Sequence, residues 1–246
     1  MDALYQNPRL VEVYDAINQS RADYDFYIGE LPEPPAALLD IGCGTGTFAL
    51  DLANRGYAVT AVDPAPQMVA MAAQKDAGRS VNWVTGSVAD LPVDARFDAA
   101  VMTGHAFQCL LDDTQISALF KAVEQRLCRD GSFWFETRNR AAKPWLRWRP
   151  NCAAPAVALG GGRTVKVTHN VLRVSDGRVT FEERYDFNDH SAVVTSRSTL
   201  RFPDLNEIAA FAVRHGLTVA ETFGTWTREP LMRDSPEIIV RLQKAA

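Results

Sequence analysis

Two apolar rhythms alternate along the chain from Ala37 onward. Short apolar runs predict buried strands, and spacings of three to four residues predict helices packed on them. Leu38, Leu39 and Ile41 form the first run. Phe48, Leu50, Leu52 and Ala53 follow as a helix opened at Thr47 and stopped at Gly56. Tyr57 to Val62 reads as a second strand, and Pro66 to Ala73 as a helix burying Met68 and Val69. Val81 to Thr85 gives a third strand and Phe97 to Met102 a fourth. Ile116, Leu119, Phe120, Val123 and Leu127 make the stripe of a helix starting near Asp112 or Asp113. Asp130-Gly131 then turns into a fifth strand, Ser132 to Glu136. Strands alternating with helices predict an α/β fold on a parallel, doubly wound sheet.

The flanks depart from this rhythm. Asn7-Pro8 starts a helix with Leu10, Val13, Tyr14 and Ile17 at helical spacing. A second helix from Asp23 carries Tyr24, Tyr27, Ile28 and Leu31 and ends before Pro32. Residues 137–162 are rich in Arg, Trp, Pro and Gly. Three strands follow: Thr164 to Val174, Arg178 to Phe187 and Ala192 to Phe202. For the first hairpin, a two-residue turn at Ser175-Asp-Gly177 would oppose Val167 to Asp186. A three-residue turn with Gly177 left-handed instead pairs Val165 with Phe187, Val167 with Tyr185 and Val171 with Phe181. One slip exchanges the faces, so the apolar match favours the three-residue turn. It also sets His169 opposite Glu183, either as a mutually satisfied pair or as a pair that binds or deprotonates substrate. His190 reads as a turn residue. Asp204-x-x-Glu207 opens a last helix through Ile208, Phe211 and Ala212, closed by Gly216. Leu217 to Thr222 and Glu237 to Leu242 are two final strands.

Length and charge narrow the function classes. The 246 residues suit one large domain or a domain with a cap, and the net charge of −4 disfavours a nucleic-acid partner, which needs a basic face. Arg138, Arg140, Lys143, Trp145, Arg147, Trp148 and Arg149 interleave cations with aromatics. They serve either a single-stranded nucleic acid or a lid whose tryptophans pack back while its arginines stay wet. Cys43, Cys109, Cys128 and Cys152 are scattered, without metal-ligand spacing, and read as reduced thiols. No apolar run approaches the ~18 residues of a membrane span and no secretion signal opens the chain, so a cytoplasmic protein is expected.

The chemistry is concentrated at Asp40-Ile-Gly-Cys-Gly-Thr-Gly46 and at Asp63. A glycine turn between strand and helix lets a ligand approach the backbone. A carboxylate about 20 residues on can accept from a ribose diol. The string resembles motif I of the class I S-adenosylmethionine-dependent methyltransferases of small-molecule type, in which an acid precedes a three-glycine turn. The resemblance covers about residues 37–136 and 204–242. It implies a Rossmann-like sheet ending in an antiparallel strand pair, and the strands read between Thr164 and Phe202 add an inserted antiparallel sheet between the fifth strand and the last helix. Residues 1–36 would be a helical lid, 37–140 with 203–246 the core, and 141–202 a substrate cover. S-adenosyl-L-methionine is the implied cofactor. Its implied site is Asp40, Gly42, Cys43, Gly44 and Gly46, then Asp63, Pro64 and Met68, then Ser87, Val88 and Asp90, and finally Thr103. In Gly86-Ser-Val-Ala-Asp-Leu-Pro92 the family's usual aspartate after the glycine is replaced by Ser87, which leaves either Ser87 or Asp90 to face the adenine amino group.

The implied reaction is in-line transfer of the sulfonium methyl group to an amine or hydroxyl of a small organic molecule. His105, just past the fourth strand, is the candidate base, since histidine exchanges protons near neutrality; its alternative is a loop residue bonded to backbone. Tyr14, Phe107, Arg138, Trp145, His169 and Glu183 are the candidate substrate residues, with Arg138 as a cationic anchor. No metal is expected, because the strand ends show no Asp–Asp–Asn cluster. A small-molecule acceptor is the expected partner, and a homodimer stays open. Competing readings are an RNA-directed methyltransferase, a non-catalytic S-adenosylmethionine-binding protein and, more remotely, a dehydrogenase.

Overall fold

The computed structural model describes residues 2–152, 155–189 and 193–245. His190 and Ala192 therefore lie outside the described residues. The strands in chain order are β1 (Ala37–Ile41), β2 (Ala58–Asp63), β3 (Val81–Thr85), β4 (Phe97–Met102), β5 (Leu127–Arg138), β6 (Val157–Gly160), β7 (Arg163–Ser175), β8 (Arg178–Phe187), β9 (Val194–Arg201), β10 (Leu217–Phe223) and β11 (Glu237–Lys244). The helices are α1 (Ala3–Gln6), α2 (Pro8–Ile17), α3 (Ala22–Ile28), α4 (Thr47–Asn54), α5 (Pro66–Lys75), α6 (Asp113–Arg126) and α7 (Leu205–Arg214).

A seven-stranded sheet runs in the order β10-β11-β5-β4-β1-β2-β3. The first five strands are parallel, and β11 is antiparallel to both β5 and β10. Successive residues feed opposite faces. Leu38, Ala99, Val101, Trp134 and Ile239 pack with Phe26, Phe48 and Leu52, whereas Leu39, Ala100, Phe133, Phe135 and Val240 pack with Phe120, Ile208 and Phe211. Both faces are covered, which is why these strands read as unbroken apolar runs. The order reverses between β1 and β4, so a crevice opens beyond their carboxyl ends.

β5 is longer than the sequence predicts. It starts at Leu127 and passes through Asp130-Gly131 as a bulge, with Leu127 opposite Phe97 but Ser132 opposite Ala99. The capping boxes at Asp112/Gln115 and Asp204/Glu207 form and fix the starts of α6 and α7.

The smaller sheet, β6-β7-β8-β9, is antiparallel throughout. Its apolar register is the expected one, with Val165 opposite Phe187, Val167 opposite Tyr185 and His169 opposite Glu183. The device differs. The turn is the two-residue one, Asp176 and Gly177 both at positive φ (52° and 68°), with Ser175 paired to Arg178. A bulge between Val171 and Arg173 inserts the extra residue that shifts the faces back into match. β6 is a short edge strand that its sequence does not announce.

Helix α2 fills the gap between the sheets. Leu10 and Val13 pack on Val165, Tyr185 and Phe187, while Val11 packs on Ala65 and Met68. Among the described residues no helix is long and apolar enough to cross a membrane.

Candidate active site

The turn after β1 holds Gly42, Gly44 and Gly46 at φ +71°, +53° and +80°, where a side chain is strained. Their surroundings differ. A Cβ on Gly46 would lie 2.5 Å from Trp83, so this glycine lets the α4 start pack against β3. At Gly44 the nearest side-chain atom, from Tyr14, is 3.9 Å away, so this is the position that lets a ligand reach the backbone. Asp63 accepts from the Gly44 N–H at 2.9 Å and from the Ala65 N–H at 2.8 Å. It thereby ties the glycine turn to the start of α5. Burial raises its pKa, and those two donors counter the shift.

Asp40 supplies the test of fit to the cofactor. It is 1 % exposed, and neither carboxylate oxygen has a hydrogen-bond partner. Burial, with Asp63 nearby, pushes its pKa up to about 7. An unpartnered carboxylate inside a protein needs a proton or a donor. The ammonium group on the amino-acid tail of S-adenosylmethionine is such a donor, and Asp63 keeps lone pairs for a ribose diol. The residues present fit the group.

The remaining cofactor candidates ring this crevice unevenly. Cys43 is half-buried, with its thiol pKa raised by burial, and its backbone N–H donates to Val62. Thr103 is buried at the end of β4, Met68 is buried under α2, and Pro64 is exposed at the rim. Val88 is buried, but Ser87 and Asp90 are exposed and bonded to each other: one Asp90 oxygen accepts from both the Ser87 N–H and its hydroxyl at 2.8 Å. That oxygen locks the turn, and the other Asp90 oxygen is not engaged in it.

The N-terminal helices close over the glycine turn. Asp15 accepts from the hydroxyls of Thr45 and Thr47 and pairs with Lys75. Tyr14 reaches Gly44 from the same helix, and Tyr5 lies 6.4 Å from it between ring centroids, its hydroxyl beside Cys109 Sγ. Tyr24 stacks on Phe48 at 4.7 Å and serves the core.

Beyond β4 lies a polar cluster. His105 is left-handed at φ 61°, a conformation costly outside glycine. Its backbone N–H donates to Glu136 at 2.5 Å, and its Nε2 lies 2.9 Å from Glu237 Oε2. Glu136 is wholly buried, also accepts from the Tyr27 hydroxyl, and has its pKa pushed up to about 7 by burial. Asp23 is also raised by burial, opposed by the neighbouring Gly104 backbone and His105. Arg138 stands directly opposite Glu237 across the β5–β11 pair and donates to Gln108 at 2.9 Å. On the smaller sheet His169 Nε2 meets Glu183 at 3.0 Å, and Tyr185 donates to the other Glu183 oxygen at 3.1 Å. Tyr185 of this group packs with Leu10 and Val13 of α2, the helix that carries Tyr14.

Two substrate candidates fall elsewhere. Phe107 is 1 % exposed and packs on Phe120 and Phe135 at 5.8 and 4.3 Å, so it is core. Trp145 packs on Phe202 at 5.0 Å and lines a groove with Arg140 and Gly177. Tyr27, Gln108, Glu136 and Glu237 were missed. Glu136 carried a signal, being a lone acid in the apolar run Phe133-Trp-Phe-Glu. Glu237 carried none, because only the pairing of β11 with β5 brings it to the cluster.

A glycine turn after β1, an acid after β2 and an antiparallel last strand define a Rossmann-like nucleoside-binding domain. Residues 38–131 match the family model of a methyltransferase domain. The chain is 35% identical over 200 residues to a malonyl-[acyl-carrier protein] O-methyltransferase of Geobacter sulfurreducens, covering 72% of this chain and 73% of that one. It is 26% identical over 207 residues to a cypemycin N-terminal methyltransferase of Streptomyces, covering 84% and 82%. An S-adenosylmethionine-dependent methyltransferase from Clostridium acetobutylicum superposes with a TM-score of 0.78 at 16% identity, over 97% of this chain and 98% of that one. The chain belongs to the class I S-adenosylmethionine-dependent methyltransferases.

Proposed function

We propose that this methyltransferase acts on a small organic molecule, moving the methyl group to an amine or hydroxyl by in-line displacement, with the amine favoured. The observation that carries the reading is the His105–Glu237 pair at the carboxyl end of β4, 2.9 Å apart. With Nε2–H donating to Glu237, Nδ1 is left as the proton acceptor. Asp23, Glu136 and Glu237 gather carboxyl groups around that imidazole. The Glu237 carboxylate favours an approaching ammonium, which gives its proton to His105, over an acceptor oxyanion, while Asp23 and Glu136, raised by burial, add negative charge only as they ionise.

When bound, S-adenosylmethionine supplies a methyl group on a positive sulfur, and the departing thioether is neutral. The protein therefore has no leaving anion to stabilise. Its main task is to hold the acceptor in line, which is worth up to ~7–11 kcal/mol in effective molarity. Tyr5, Tyr14 and the His169–Glu183–Tyr185 face of the small sheet support this by covering the crevice.

The test is methyl transfer from labelled S-adenosylmethionine to matched panels of small amines and alcohols. Product from amines that vanishes in His105→Ala supports the reading. Product from alcohols alone, or amine turnover indifferent to His105, removes it. Two cations of the 138–149 stretch are engaged within the protein, Arg140 with Asp204 at 2.5 Å and Arg138 with Gln108 at 2.9 Å, which weakens the case for an RNA acceptor.

A further inference from the structure

Arg138 is a guanidinium without a counterion in contact. Among the described residues its one side-chain hydrogen bond is to Gln108 Oε1, 2.9 Å away, and it makes no contact ion pair. That single bond is rigidly built. Gln108 is 0 % exposed, and its own amide donates to the Arg201 carbonyl at 3.0 Å, so its oxygen is held toward Arg138. The guanidinium also lies 5.6 Å from the Trp148 ring. A planar five-donor fork is thus fixed in a part-buried setting, while most of its donors lack a protein acceptor. None of its nitrogens is both shut off from water and unpartnered, so the free donors stay open to an incoming anion.

Its place in the sheet says whose anion that is. The nucleoside-holding groups come from β1 and β2, and the strand order continues from β1 through β4 to β5. Arg138 ends β5, one strand further from β1 than the His105 that follows β4. Glu136 and Glu237 act on the same guanidinium. A second negative charge on the ligand would meet those two acids, so a singly charged, planar carboxylate suits the fork better than a dianionic phosphate.

We propose that Arg138 is the carboxylate anchor of the acceptor subsite, and that the acceptor is an amine- or hydroxyl-bearing carboxylic acid. This rests on the small-molecule methyl-transfer reading above. Gln108 acts as a positioning residue that keeps the fork aimed.

The experiment uses the full chain loaded with S-adenosylhomocysteine, titrated by calorimetry with acetate and benzoate and with their neutral amides. Wild type should bind at least one acid about tenfold more tightly than its amide. Arg138→Met should erase that preference and Arg138→Lys should weaken it, while S-adenosylhomocysteine affinity stays within about twofold in both. Equal binding of acid and amide overturns the proposal, as does a preference that survives in Arg138→Met. A parallel loss of S-adenosylhomocysteine affinity in both variants assigns the guanidinium to the cofactor's own carboxylate and also overturns it. A wild-type chain that binds no S-adenosylhomocysteine removes the methyl-transfer reading as well, so the two failures are distinguishable.

Discussion

His105 Nε2 and Glu237 Oε2 stand 2.9 Å apart although 132 positions separate them in sequence. They join the end of β4 to the start of β11 and make an imidazole–carboxylate pair beside the crevice. The backbone on the His105 side is strained and anchored by Glu136, so the imidazole is held where the fold puts it.

His105→Ala should lower turnover by about 10²–10⁴-fold, the usual share of a general base, with S-adenosylhomocysteine affinity almost unchanged. Glu237→Gln should lower turnover in the same direction by a smaller factor, since an amide still positions the ring but carries no charge. Single-turnover rates with labelled S-adenosylmethionine separate these effects from binding.

Asp63→Ala should weaken S-adenosylhomocysteine binding by about 1–3 kcal/mol through lost hydrogen bonds. It should also lower the melting temperature without ligand, because Asp63 accepts from Gly44 and Ala65 in the protein itself. Asp63→Asn, which keeps one acceptor, should fall between. Calorimetry and thermal melts check both arms.

Asp40→Asn should stabilise the unliganded protein at pH 8 and weaken cofactor binding. The Asp40 pKa is raised from 3.8 to about 7 on folding. Between those values the folded state holds a proton the unfolded state has released, so wild-type stability falls as pH rises through that window. Asparagine does not titrate. The gain in melting temperature should therefore be small below pH 4, grow toward pH 7 and level off above it. A gain independent of pH would show that ionisation of Asp40 is not its source.

Asp15→Ala should speed S-adenosylhomocysteine release several-fold and change stability by less than about 1 kcal/mol, because the Asp15–Lys75 pair is largely solvated. Stopped-flow displacement reads the first effect and chemical denaturation the second.

The cofactor side of the site was legible because it is local. Asp40, the glycines and Asp63 lie on two neighbouring strands, and strand–turn–helix spacing alone sets them in one crevice. The acceptor side was legible only in part. His105 was placed by its position after a strand. Phe107 is buried among Phe120 and Phe135 and Trp145 packs on Phe202, placements that the sequence left open because an aromatic in a pocket wall and one in a core have the same signature. The register of the small sheet followed from matching apolar faces, yet the turn did not, since a bulge near residue 172 compensates one residue and leaves no mark in the sequence.

Hydrophobic periodicity, turn residues and the spacing of glycines and acids are encoded within stretches of about ten to thirty residues. From these the chain by itself determined the alternation of strands and helices, the nucleoside crevice and the reaction class. Only the tertiary structure decided which carboxylates stand beside His105, which fork Gln108 aims, and how α2 fits between two sheets. Those contacts join residues far apart in sequence, and burial and pairing select them from many that local pattern leaves equal.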